Sequence, residues 1–245
     1  MIVRVLFFGY GLLAYVIGVP SLFYGVGFLA NSVVPKGIDA GEVGSADLAV
    51  LVNITLLLLL PLQHSLMARP GFKAMWTRLV PQVIERSMFV LISGLLLWLL
   101  YWQWRPMPQS VWNLETPAWR TLLVVIYLAG WGLLFSSSFL IDHFDLFGLR
   151  QVFFALRGQA YAPPVFVERL VYKWIRHPLM AGFIVAFWAA PTMSQGRLLF
   201  AVVTTVYIFV GIRLEERDLL AHHGEDYAAY RRRTAMLLPI PRRRS

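Results

Sequence analysis

The chain has 245 residues, of which 58% are hydrophobic and 14% charged, with a mean hydropathy of +0.64 and a formal net charge of +9. So much apolar surface excludes an ordinary soluble globule and points to lipid-facing helices. The sequence contains no cysteine, which excludes disulfides, thiolate metal sites, iron–sulfur clusters and a cysteine nucleophile.

Apolar runs of about 20 residues are the primary signal along the chain. The first covers Val5–Val34 and is interrupted by Pro20, which predicts a tilted or kinked span. It is too long for a signal-peptide core and no convincing cleavage site follows, so it reads as the first span. The second covers Leu48–Met67, with Pro61 near its end. The third covers Ser87–Trp104 and ends in Trp98, Tyr101, Trp102 and Trp104, which reads as an interfacial aromatic belt. The fourth is Trp119–Ile141. The fifth, Trp174–Met193, is short enough to be re-entrant, and the sixth is Leu198–Leu214.

Charges between the runs orient them. Arg69, Lys73, Arg78 and Arg86 mark the second connection as cytoplasmic, and Arg150, Arg157, Arg169, Lys173 and Arg176 mark the fourth. The first connection is acidic (Asp39, Glu42 and Asp47 against Lys36) and the third is proline-rich with few charges, which suits the outside. The expectation is an all-α polytopic bundle of about six transmembrane helices with both termini in the cytoplasm. A pI near 10.2 invites a nucleic-acid reading. The basic residues lie where positive-inside orientation places them, however, so no nucleic-acid partner is expected.

The connection from Asp142 to Lys173 is long for a linker. Gly148, Gly158, Pro163 and Pro164 break it, while Phe153–Leu156 and Val165–Tyr172 read as short amphipathic pieces at the interface. Beyond Glu216 a polar, helix-compatible stretch runs to Met236, followed by Pro239, Pro241 and the basic end Arg242-Arg243-Arg244. That end and Arg231-Arg232-Arg233 suit anionic membrane lipid.

The unusual polar residues are not scattered. Gln63 and His64 lie in the last turn of the second span. Asp142, His143 and Asp145 follow the fourth, Arg176 and His177 open the fifth, and Glu215 and Glu216 close the sixth. With this topology all nine reach the cytoplasmic side, which predicts one polar pocket there. Arg176-His177-Pro178 is also a helix start, whose free N–H groups suit an anion. Each cluster has a plainer reading. Arg176 alone is a positive-inside anchor, and Glu215-Glu216 beside Arg213 and Arg217 is a solvated helix end. His64, one turn beyond Pro61, suits a freed carbonyl, and Asp142-His143 suits an interfacial cap. Against these stands the imidazole, the obvious proton acceptor in a pocket at neutral pH. Tyr227 and Tyr230, three apart, share a helix face, and His222-His223 read as solvated. Five histidines with no i, i+4 pair and no cysteine predict no metal site.

Arg176-His177-Pro178, Gly182, Glu215-Glu216, Leu219, Gly224, Tyr227, Tyr230 and Pro239 together resemble the C-terminal signature of isoprenylcysteine carboxyl methyltransferases and phospholipid methyltransferases. The match covers roughly residues 172–241. In that superfamily the signature binds S-adenosylmethionine at the cytoplasmic face. The resemblance implies that Arg176, His177, Pro178 and Gly182 line the cofactor and its methionine carboxylate. It implies further that Glu215 and Glu216 hold its polar groups and that Tyr227 and Tyr230 support the adenosine end. Met180 stands where the pattern carries an aromatic residue.

Leu62-Gln63-His64-Ser65, Ala68-Arg69-Pro70 and the run Asp142 to Arg150 are similar to the bacterial methanethiol S-methyltransferases of the NnrU-like branch. This implies a bacterial inner-membrane enzyme that methylates a small thiol. Residues 1–245 would form one membrane domain, with 1–141 as the substrate side, 142–173 as a cytoplasmic interfacial connection and 174–241 as the cofactor side. A thiolate nucleophile needs a base, for which His64 and His143 are the candidates, with Asp142 or Asp145 orienting an imidazole and Gln63 in the substrate pocket. The alternatives are a lipid or prenyl-cysteine carboxyl methyltransferase, and a non-catalytic NnrU-like membrane factor.

Overall fold

The computed structural model of the chain describes residues 1–163 and 170–239. Arg169, the basic end 242–244 and most of the 165–172 piece lie outside the described residues, as do the side chains of His222 and His223. The chain is helical almost throughout, in the order α1 (Ile2–Ala30), α2 (Ala46–Ala68), α3 (Pro70–Trp76), α4 (Gln82–Gln103), β1 (Ser110–Asn113), α5 (Pro117–Ile141), α6 (His143–Leu146) and α7 (Leu149–Leu156). A 3-10 turn (Leu170–Lys173), α8 (Pro178–Trp188), β2 (Thr192–Ser194) and α9 (Gln195–Arg233) follow.

Among the described residues, five helices are long and apolar enough to cross a membrane: α1, α2, α4, α5 and the 195–221 part of α9. The all-α membrane bundle expected from the apolar runs is therefore what the chain forms. The fifth run folds as the short helix α8. Its eleven residues span about 16 Å at 1.5 Å each, against a hydrocarbon core of about 30 Å. Pro178 occupies its first turn, where a missing N–H costs nothing.

The helices form two compact units. The first groups α1–α4 with α6, α7 and residues 194–197. Here α1 packs on α4 and α7, and α2 packs on α4. Glycine lets α1 and α4 meet backbone to backbone, because a Cβ on Gly94 would stand 2.7 Å from the Gly18 Cα. The aromatic end of α4 departs from the expected interfacial belt. Trp104 and Tyr101 are buried, with Tyr101 4.8 Å from Phe28 and 4.9 Å from Tyr24 between ring centroids, and Trp98 donates its indole N–H to the Ile17 carbonyl at 3.1 Å. Trp102 alone of the four is exposed. The aromatic cluster is mostly core because α1 lies against it.

The second unit groups β1, α5, α8 and the rest of α9. Helices α5 and α8 touch through Gly130 and Gly182, where an added Cβ on Gly182 would come within 2.6 Å of the Gly130 carbonyl oxygen. Helix α9 breaks at Gly224, whose φ of 53° and ψ of −125° lie outside the helical region and favour glycine. Residues 225–233 form a separate helical piece beyond that break. The chain then runs alongside the segment before α8: Ile175 bridges Ala235 in parallel, and the N–H groups of Arg176 and His177 donate to the carbonyls of Ala235 and Met236 at 2.8 and 3.1 Å.

Candidate active site

The second unit gathers the polar residues of its two motifs. Arg176 and His177 end the segment pinned by that pairing, and His177 caps α8. Glu215 and Glu216 sit some twenty residues along α9. The Arg176 Nε donates to Glu216 Oε1 at 2.8 Å, and His177 Nε2 lies 3.1 Å from the same oxygen. The other side of His177 faces Glu215, with Nδ1 3.6 Å from Oε2. Arg231 reaches Glu216 Oε2 at 3.9 Å. The partners of Glu216 are thus Arg176, His177 and Arg231, rather than the neighbours Arg213 and Arg217 that a solvated helix end would use.

The arginine is held from a second direction. Its Nη1 donates to the Arg231 carbonyl at 3.1 Å and to the Thr234 carbonyl. Arg176 and His177 are both buried, as a paired and hydrogen-bonded charge must be. Glu215 is the exposed member, with half of its side chain open to solvent against about an eighth for Glu216. The two carboxylates therefore differ in kind. Glu216 is the structural anchor of the cluster, and Glu215 keeps an oxygen for something else.

Tyrosines surround this cluster. Tyr227 and Tyr230 are buried with ring centroids 5.9 Å apart, and the Tyr230 hydroxyl donates to the Tyr172 carbonyl at 2.6 Å. Burial, reinforced by Glu216, pushes the Tyr227 hydroxyl up to about 12. Burial and then Glu215 raise the Tyr172 hydroxyl. The buried hydroxyls of Tyr172 and Thr234 have no hydrogen-bond partner among the described residues. Buried hydroxyls in that state call for a partner. Pro178 fixes the start of α8, and Gly182 makes the α5 contact one turn on.

The remaining candidates belong to the first unit. His64 Nδ1 donates to the Leu60 carbonyl at 3.2 Å, and its ring edge meets Phe89 at 4.7 Å. That donation fixes the Nδ1–H tautomer and leaves Nε2 as the basic nitrogen. The carbonyl used is one turn back; it is not that of Leu57, from which Pro61 withholds an N–H. Beside it, Gln63 accepts from the Ser93 hydroxyl at 3.0 Å and donates to the Met67 sulfur at 3.1 Å.

His143 opens α6 in a cage of aromatic rings. Its Nε2 is 2.8 Å from the Tyr15 hydroxyl, and Phe147 and Phe144 pack at 4.7 and 5.5 Å. Burial lowers its pKa below the ordinary histidine value, and Asp142 pulls part of the way back. Asp142 caps α6 by accepting from the Asp145 N–H at 3.1 Å, and it pairs with Arg150. Its φ of 136° is a conformation that non-glycine residues seldom adopt, of the kind that clusters at functional sites. Asp145 accepts from the Tyr161 hydroxyl at 2.7 Å and from Gln151 at 3.2 Å, and burial together with that carboxylate pushes Tyr161 up to about 12. The group seen at His143 Nε2 is therefore Tyr15, where the sequence pointed to Asp142 or Asp145. Tyr15, Tyr172 and Thr234 carry no spacing signal of their own in the sequence.

No family model matches the chain, and no solved structure gives a significant match. Curated relatives match it over nearly its whole length. Methanethiol S-methyltransferase 1 of Bradyrhizobium diazoefficiens is 51% identical over 95% of this chain and 81% of its own. The methanethiol S-methyltransferase of Mycobacterium tuberculosis is 48% identical over 96% of both chains. Nurim of Mus musculus is more distant, 32% identical over 68% of this chain and 66% of its own.

Proposed function

Because the chain belongs to the methanethiol S-methyltransferase family, we propose that it is an integral membrane enzyme that transfers a methyl group from S-adenosylmethionine to the sulfur of methanethiol, giving dimethyl sulfide. The observation that carries the donor assignment is the cluster of Arg176, His177, Glu215 and Glu216 around two buried hydroxyls, those of Tyr172 and Thr234, that lack partners among the described residues.

The donor set fits such a group. An amino acid zwitterion and a ribose present both acceptors and donors. The cluster offers a guanidinium and an imidazole for a carboxylate, a half-open Glu215 for an amine or a ribose hydroxyl, and aromatic rings for a base or a sulfonium. When bound, S-adenosylmethionine supplies an electrophilic methyl group on a sulfonium centre. Arg176, His177, Pro178, Glu215, Tyr227 and Tyr230 would hold it, with Glu216 fixing Arg176 and His177 in place. Gly182 keeps α8 close enough to α5 for that frame to form.

The chain's other task is to make a thiolate, since an alkanethiol is mostly protonated near neutral pH. A neutral imidazole suits this role. His64 presents Nε2 as its basic nitrogen, and His143 is held neutral by burial and steadied by Tyr15. We assign the proton acceptor to one of these two histidines, with Asp142 and Asp145 shaping the α6 turn that carries His143 and with Gln63 in the thiol pocket. We place it in a bacterial inner membrane, in keeping with its bacterial methanethiol S-methyltransferase relatives, and the loop charges support cytoplasmic termini and a site on the cytoplasmic side.

Calorimetric titration of the purified protein in detergent with S-adenosylmethionine tests the donor assignment. Saturable binding that Glu215→Gln weakens supports it. The absence of any binding heat would instead favour a non-catalytic membrane factor.

A further inference from the structure

The first unit contains a cavity of about 440 Å³ that the proposed reaction does not use. Phe8 and Leu12 of α1 form one wall, and Phe144, Leu149, Phe153 and Phe154 of α6 and α7 form the other. Leu12, Phe144 and Phe153 are each roughly half exposed, so the cavity is a groove open to its surroundings. Its volume equals that of roughly fifteen water-sized groups, far beyond a thiol of two heavy atoms. Its lining is aromatic and aliphatic apart from one ion pair, Asp142 with Arg150. An unbranched hydrocarbon chain matches both the volume and the lining.

One edge of the groove is cationic. The Arg150 guanidinium lies 5.5 Å over the Phe154 ring, and Arg157 lies 5.8 Å over Phe153. Arg4, at the start of α1, packs on Gly158, where an added Cβ would stand 2.6 Å from its Nη1. Arg150 thus lines the groove itself, while Arg157 lies over its Phe153 wall and Arg4 stands one turn before Phe8; Asp142 offsets only Arg150. Aspartate 145 is engaged with Tyr161 and Gln151. Because α1 is long and apolar enough to cross a membrane, a groove open along its side is within reach of lipid.

We propose that this groove binds an anionic glycerophospholipid, with one acyl chain between α1 and α6–α7 and its phosphate held by Arg4, Arg150 and Arg157. The phosphate accepts charge-assisted hydrogen bonds that a fork-shaped guanidinium is built to give. The chain covers Phe8, Leu12 and Phe153 and so removes apolar surface from the groove.

Photolabelling tests the proposal on the full-length protein in nanodiscs of zwitterionic phosphatidylcholine. A trace of phosphatidylglycerol carrying a diazirine in one acyl chain is irradiated, and the adducts are mapped by mass spectrometry. The expected adducts concentrate on peptides covering residues 8–12 and 144–154. A phosphatidylcholine probe with the same chain labels them several-fold less, and unlabelled phosphatidylglycerol competes. Leu12→Trp, which fills the groove, removes these adducts while those on α2 and α5 persist. The paired surface variant Arg4→Gln with Arg157→Gln leaves the groove intact and lowers the preference for the anionic probe by about fivefold per charge. Adducts spread evenly over every lipid-facing helix would overturn the proposal, as would equal labelling of the groove by the two probes.

Discussion

Arg176 and Glu216 are joined Nε to Oε1 at 2.8 Å, with 4% of the arginine side chain and 12% of the glutamate exposed to solvent. This pair links the segment before α8 to α9, and His177 adds a second bond to the same carboxylate oxygen. Burying both charges costs several kcal/mol of hydration, which the pair offsets with the help of the Arg231 and Thr234 carbonyls, both accepting from Nη1. The cluster is therefore held by the chain's own bonds, and a fixed frame is what a methyl donor needs for alignment.

Removing the charge of Glu216 leaves Arg176 buried without its partner. Glu216→Gln should destabilise the protein by about 3–5 kcal/mol. Glu215→Gln touches a half-exposed carboxylate with one contact at 3.6 Å, and its melting temperature should stay near that of the parent. The same variant should weaken binding of S-adenosylmethionine by about tenfold or more, the cost of one charge-assisted hydrogen bond. Thermal melts and calorimetry on both variants check this. Equal destabilisation by the two would contradict the division of roles.

Gly182→Ala should destabilise the chain through packing. The new methyl would meet the Gly130 carbonyl at 2.6 Å and the Leu134 nitrogen at 2.8 Å, which are backbone atoms that cannot swing away. The expected loss is about 1–3 kcal/mol. Gly132→Ala, on the facing helix α5 with nothing within 4 Å, is the control and should melt like the parent.

The Tyr15–His143 hydrogen bond at 2.8 Å yields a kinetic prediction with a sign. Burial favours neutral His143, so its base form persists below the ordinary value of about 6.5. Activity that depends on it should hold down to that point and fall as pH drops through the lowered pKa. The stability contributed by the neutral ring is lost over the same window. His143→Gln should lower kcat by about 10²–10⁴-fold if it is the base, with donor binding unchanged. Tyr15→Phe should lower kcat less and move the acid limb of the pH profile, a shift that a packing defect alone does not produce. Full activity in both His143→Gln and His64→Gln would remove the base assignment.

Gly224→Ala isolates a backbone effect, because nothing lies within 4 Å of the added Cβ while φ is +53° and ψ is −125°. Strain of about 1–3 kcal/mol is expected. Amide hydrogen exchange should show faster opening of the pairing between residues 175–177 and 235–236 than in α1 or α5.

The long helices were legible because each contains an apolar run of about 20 residues or more, the pattern a bilayer imposes. The meeting of Arg176 and His177 with Glu215 and Glu216 was legible too, as the two ends of one apolar hairpin. Its legs proved unequal: α8 has eleven residues, against the 27 of the 195–221 part of α9. The roles within the cluster were not legible. Nothing in two adjacent glutamates says which one is buried; that depends on which face of α9 meets Arg176. Trp104 and Tyr101 were misplaced at an interface because aromatic composition looks alike in a belt and in a core. Tyr15 was hidden by its setting, since nothing sets it apart from Tyr10 and Tyr24 in the same apolar run until α6 places His143 beside it.

The most direct test is headspace detection of dimethyl sulfide from the purified protein in detergent, given methanethiol and S-adenosylmethionine labelled in the transferred methyl. The account predicts labelled dimethyl sulfide in proportion to enzyme, sharply reduced in Glu215→Gln. No labelled dimethyl sulfide from folded protein, or label passing to lipid acceptors instead, would contradict it.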